Sequence, residues 1–343
     1  MKIGIYCRDF RGANGMTKAT VLTARAFLKQ GHRAEILAER AESSRRLVSL
    51  FGTAAGGLAV RKAGKNVSGL TAGYDLFINQ LPGAYFPSFA KRNWLWFHAA
   101  PLDRPRHLGF YRILANSRYT LERLRARWGV PAEVLYPPAA TADFPPLKKE
   151  RVILSVGTFG GKARPKNELA MIRLFRDLHA RGDLKDWTYH LAGELEGGPA
   201  WLGKLKAAAG KAPVSIHVGA GLALMRRLYG RAAILWHACG AEPDGPFPPE
   251  GREHFGLALV EGMAAGCVVL APNAGGPREI ISQGRGGRLY SSWEKLGRWT
   301  IDLSKDGSSL RRQSRLARKR SRNWNLVRFD GRFRELVAAK VKK

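Results

Sequence analysis

The chain has 343 residues, 45% apolar and 10% aromatic, which suits a globular protein of two ordinary domains with real cores. Its three cysteines, Cys7, Cys239 and Cys267, stand at no paired spacing, which argues against a disulfide framework or a zinc site and for a reducing compartment. The net charge of +31 is uneven: residues 305–343 hold 14 basic and 3 acidic side chains, while residues 151–304 hold 20 and 14. Such a field attracts polyanions, whether nucleic acid, anionic lipid or a diphosphate ligand, although a solvated basic surface reads the same way.

In chain order, Lys2–Cys7 reads as a first strand, too short an apolar run before Arg8-Asp9 for a secretory signal, so a cytoplasmic location is expected. A glycine loop over Arg11–Met16, a helix over Thr17–Gln30 and a strand over Ala34–Leu37 complete one parallel α/β unit. The loop lacks G-x-G-x-x-G spacing, so no dinucleotide fingerprint is present, but glycine there lets the backbone approach a phosphate or sugar. Residues 41–70 are less regular. Strands follow at Tyr74–Asn79 and Trp94–His98, and His98 ends its strand where parallel α/β folds place ligands. Asn116 or Ser117 suits the cap of a helix starting near Arg118. The Pro145-Pro146 segment closes a first domain, residues 1–143.

A second domain, residues 151–305, opens with the buried strand Val152–Gly157. A loop with Lys162 and Arg164 leads through Lys166 and Asn167 into a helix ending near Leu178. A lysine at a helix start opposes the dipole unless an anion lies there. Strands at Trp187–Gly193 and Val214–Val218, a helix over Leu222–Tyr229 and a strand over Ala233–His237 follow. After a Pro/Gly-rich loop comes EHFGLALVEGMAAGCVVLAPNAGG, residues 253–276: loop, helix, strand and glycine loop. It is also the most membrane-like run, but Glu261 and its glycines mark a core helix plus strand. Glu253 precedes the helix, whose first N–H groups are unpaired and can hold an anion. Glu261 lies inside an apolar helix, where a buried carboxylate must meet a donor or face a cleft. A turn is expected over Gly284–Gly287. Residues 306–343 form a basic helical tail, with Arg311, Arg312, Arg315, Arg318, Lys319 and Arg322 at helical spacing.

The Glu253-x7-Glu261 spacing, with Phe255-Gly256 and Gly275-Gly276, resembles the signature of family-four retaining glycosyltransferases of the GT-B fold. The upstream string LYGRAAILWHACG is similar to bacterial members that build surface polysaccharides, and the EHFG block to eukaryotic mannosyltransferases extending lipid-linked oligosaccharides. The resemblance implies two Rossmann-like parallel α/β domains facing across a cleft, with the C-terminal helix returning to the first. It implies transfer of a hexosyl group, mannosyl as a first guess, from a GDP- or UDP-linked sugar to a glycan or lipid-linked acceptor. No further cofactor is implied, and no Asp-x-Asp motif near a strand end suggests a metal. By resemblance, Lys166, Glu253 and His98 carry catalysis. Lys162, Arg164, His237, Phe255, Gly256, Leu257 and Glu261 are expected to line the donor, with Glu253 holding the transferred sugar and Glu261 the ribose, and Gly15 is expected to face the donor diphosphate or the acceptor. An arginine that the family places after the Val-Gly pair is Thr158 here, leaving its role to Lys162 or Arg164. Rival readings are a nucleic-acid-binding protein, which the charge supports but no motif does, and a GT-B epimerase or phosphorylase. The basic tail suggests peripheral contact with an anionic membrane.

Overall fold

The computed structural model describes residues 1–8, 10, 12, 14–64, 66–80, 85–161, 165–241 and 251–339. It divides into two units: Met1–Ala139 with the C-terminal residues from Trp324, and Ala140–Asn323.

The first unit contains β1 (Lys2–Tyr6), α1 (Gly15–Lys29), β2 (Arg33–Ala38), α2 (Ser44–Phe51), β3 (Val60–Lys62), α3 (Val67–Leu70), β4 (Leu76–Asn79), β5 (Arg92–Phe97), β6 (Arg112–Ala115), α4 (Arg118–Trp128) and β7 (Ala132–Val134). Seven strands run parallel in the order β3-β2-β1-β4-β5-β6-β7. The order reverses between β1 and β4, the place where such sheets bind ligands at strand ends. α1 buries Val21, Ala24 and Phe27 on one face, and Asn14 caps it by accepting from the N–H groups of Met16 and Thr17. The irregular stretch 41–70 holds α2, capped by Ser43, and the three-residue edge strand β3. Both are too short for periodicity to reveal.

The second unit contains β8 (Glu150–Val156), α5 (Glu168–Ala180), β9 (Thr188–Gly193), α6 (Gly198–Ala209), β10 (Val214–Val218), α7 (Leu222–Arg231), β11 (Ala232–Trp236), α8 (Leu257–Ala264), β12 (Val268–Pro272), α9 (Pro277–Ile280), β13 (Gly287–Tyr290), α10 (Trp293–Lys305) and α11 (Gly307–Ser321). Six strands run parallel as β10-β9-β8-β11-β12-β13. The expected turn at Gly284–Gly287 stops short, because Gly287 already opens β13 in register with Val269. That strand, GRLY, has no β-branched run; its neighbour β12 sets it.

The expected basic tail is two helices in two units. α11 packs on α8 in the second unit. The chain breaks at Arg322–Trp324, and α12 (Leu326–Ala338), capped by Asn325, belongs to the first unit. There Phe329 and Phe333 are buried against Phe27, Trp94 and Trp96. Among the described residues no helix is long and apolar enough to cross a membrane.

Candidate active site

The site in the second unit is assembled where β8, β11 and β12 end. His237 directly follows β11. Its N–H donates to the Leu270 carbonyl at 2.9 Å, and its own carbonyl accepts from the Tyr290 hydroxyl at 2.8 Å. Pinned at both ends, the imidazole places Nε2 3.4 Å from Oε2 of Glu253. Burial pushes the His237 pKa below its ordinary value, only partly opposed by Glu253, so the ring is neutral near pH 7.

Lys166 reaches the same carboxylate oxygen: Nζ lies 3.0 Å from Glu253 Oε2, with side chains only 20% and 14% exposed. Two backbone features aim it. Asn167 adopts a left-handed conformation, φ 55°, and its amide donates to the Ala238 carbonyl at 2.8 Å, tying the start of α5 to the loop after β11. Gly157, at the end of β8, leaves room for the lysine stem: a Cβ there would stand 3.3 Å from Lys166 Cγ.

Glu253 is held by the glycine loop. The Gly276 N–H donates to the Glu253 carbonyl at 2.8 Å. A Cβ on Gly275, φ 63°, would run into that same carbonyl, so glycine is required. Gly256, φ 106°, then turns the chain into α8, whose first turn has no side-chain cap and no acid. Lys166 and His237 thus meet at one oxygen of Glu253, a short way before the start of α8, where the helix dipole is positive.

Glu261 lies one helical turn into α8, 2% exposed, accepting from the Tyr229 hydroxyl at 3.1 Å. It meets a donor, as a buried carboxylate must. Gly15 opens α1 and His98 follows β5, both in the first unit. The His98 carbonyl accepts from Asn116, and its ring lies 4.8 Å from that of Trp96. Lys162 and Arg164 lie outside the described residues.

Three features escaped the sequence reading. Tyr229 is one, since nothing local marks a tyrosine as the partner of an acid 32 residues on. Glu168 is another: buried, it accepts from the Gly160 N–H at 3.1 Å and shapes the loop after β8, and burial raises its pKa. Its position next to Lys166-Asn167 was the available signal. The third is Cys239, whose Sγ, with ring and carboxylate atoms of His237 and Glu253, falls within a 4.8 Å set that could ligate a metal. The Lys166 ammonium already sits on that carboxylate, and a second cation there would meet like charge.

Two all-parallel sheets of seven and six strands, each with helices, are the architecture of GT-B glycosyltransferases. The model of the family described as glycosyl transferases group 1 matches residues 140–320, and the chain belongs to that family. No curated protein sequence gives a significant match. Solved structures agree on the fold. HepE from Anabaena, in complex with UDP-glucose, superposes with a TM-score of 0.75 at 15% identity, covering 98% of this chain and 99% of HepE. A glycosyltransferase from Rickettsia africae gives 0.74 at 15%, covering 98% and 97%. Sucrose-phosphate synthase from Thermosynechococcus elongatus gives 0.73 at 13%, covering 99% and 100%.

Proposed function

We propose that the chain is a retaining, metal-independent hexosyltransferase, using a UDP- or GDP-linked sugar and a glycan or lipid-linked acceptor. The observation that carries this reading is the Lys166–Glu253 pair beside the uncapped start of α8. When the glycosidic bond breaks, the leaving diphosphate gains negative charge. Preorganised donors stabilise that charge best, and loss of one such donor typically costs about 10²–10³ in rate. Lys166 and the Phe255–Leu257 amides would serve here. Glu253 would then exchange its lysine for hydroxyls of the transferred sugar, and Glu261 would hold the ribose diol. Neutral His237 would steady Glu253 without adding charge. The departing phosphate oxygen would take the acceptor proton, and His98 would stand on the acceptor side. The choice of base stays between uridine, as in HepE, and guanosine, which the resemblance to mannosyltransferases favours.

Free nucleotide diphosphate released only when acceptor is present, at a rate unchanged by EDTA, is the expected result. Release without acceptor, or an equilibrium between donor epimers, would point instead to an epimerase or phosphorylase.

A further inference from the structure

The first unit presents two phenylalanines to water. Phe89 is 58% exposed and Phe110 is 44% exposed, and their rings meet edge to face with centroids 6.1 Å apart. Neither is a loose end. The Phe89 N–H donates to Thr71 Oγ1 at 2.7 Å, and the neighbour of Phe110, Tyr111, donates its hydroxyl to the Phe86 carbonyl at 2.7 Å. The same stretch, residues 85–111, exposes Leu102 at 66% and carries Lys91, Arg92, Arg104 and Arg106 at the surface against one acid, Asp103. Lys91 is paired with Asp75, but among the described residues neither Arg104 nor Arg106 has a carboxylate partner.

Held aromatics that project into water, in the same stretch of chain as exposed arginines that have no carboxylate partner among the described residues, supply the two ingredients of interfacial lipid binding: apolar side chains for the acyl boundary and cations for the headgroups. We propose that this surface docks the protein on an anionic lipid bilayer, Phe89 and Phe110 entering the interface and Arg104 and Arg106 meeting lipid phosphates. Charge complementarity selects the partner, because an excess of cations suits an anionic surface and not a neutral one. The basic face of α11, with Arg311, Arg315 and Arg318 exposed, is a useful contrast: it has charge at helical spacing but no exposed large apolar side chain. The inference rests on the lipid-linked form of the proposed acceptor. Vesicle binding needs neither donor nor acceptor, so the two readings can fail separately.

Flotation of the full chain with phosphatidylcholine vesicles, with and without phosphatidylglycerol, tests it. Binding is expected only with phosphatidylglycerol. Phe89→Ala with Phe110→Ala should weaken it about ten-fold or more, and Arg104→Gln with Arg106→Gln by about ten-fold with a flatter salt dependence. Arg311→Gln, Arg315→Gln and Arg318→Gln together should weaken it less than either pair. Phe110→Cys gives a second readout, since all three native cysteines are buried: an environment-sensitive dye there should shift blue on anionic vesicles. Four results would overturn the proposal: no binding by the wild type; undiminished binding by the double alanine variant; an unshifted dye on bound protein; or a wild-type dimer that the alanine variant makes monomeric, which would make the patch a contact between copies.

Discussion

Glu261 is buried among the small residues of α8 and accepts from the Tyr229 hydroxyl at 3.1 Å. If it also holds a ribose, removing it has two separable effects. Glu261→Gln keeps shape and a hydrogen bond, and should weaken nucleotide binding about ten-fold while the melting temperature moves little. Tyr229→Phe should cost about 1 kcal/mol of stability with a smaller effect on nucleotide. Calorimetric titration and thermal melting on both variants separate the roles; a Glu261→Gln protein binding nucleotide like the wild type would remove the ribose role. At this scale the sequence spoke through charge out of place. A lysine at a helix start and an acid inside an apolar helix each demanded an explanation, and Lys166 and Glu261 are where those demands are met. What it did not disclose were long-range partners and backbone conformation: Tyr229 against Glu261, and the left-handed turn at Asn167.

The glycine loop after β12 and the edge of the second sheet each carry a prediction. Gly275→Ala combines a left-handed backbone with collision against the Glu253 carbonyl, so it should cost about 2–4 kcal/mol and abolish transfer. Gly284→Ala has a similar φ of 71° and no heavy atom within 4 Å, so it should cost only about 1 kcal/mol and spare activity. Melting and rate assays on the two proteins compare site geometry with backbone strain alone. On the edge strand β10 and its neighbour β9, His217 Nε2 and His190 Nδ1 lie 2.9 Å apart with stacked rings. One ring must donate and the other accept, so both cannot be charged. Burial lowers both pKa values, and for His190 the neighbouring His217 lowers it further. A depressed histidine pKa contributes stability that is present above the unfolded value, near 6.5, and lost as pH falls through the folded value. The denaturation midpoint should therefore drop as pH falls below about 6.5, and His217→Gln should flatten that drop. An unchanged slope in the variant would show that the pair does not titrate with folding. Elements were legible where their pattern was long or bounded by glycine, as for α1, α8 and β12. The sequence reading did not assign α6 or α10, and it called the start of β13 a turn. β13 takes its register from β12 and not from its own residues.

The whole molecule is two parallel α/β units, one of which is completed by the last helix of the chain. Truncation after Asn323 would remove Phe329, Phe333 and Leu336, each buried, and expose the Phe27, Trp94 and Trp96 surfaces they cover. At about 1.5–3 kcal/mol per side chain, that loss is comparable to the stability of a domain. Calorimetry of the truncated chain should show the second unit melting near its usual temperature and the first already unfolded. A single unchanged transition would mean that α12 is dispensable. The two-domain plan was legible in the sequence because strands and helices alternate in two blocks separated by a proline-rich link. The return of the last helix to the first unit was expected from the resemblance; that α11 stays with the second was not, although the two helices bury different residues, Gln313, Ala317 and Ser321 in α11 and Phe329, Phe333 and Leu336 in α12. The account as a whole rests on a diphosphate held by the second unit through Lys166. Isothermal titration with UDP, GDP and ADP, on the wild type and on Lys166→Ala, tests this most directly. One nucleotide should bind the wild type in preference to the others, and the variant should bind it at least about ten-fold more weakly. Equal affinity in the two proteins, or no binding of any of the three, would contradict it.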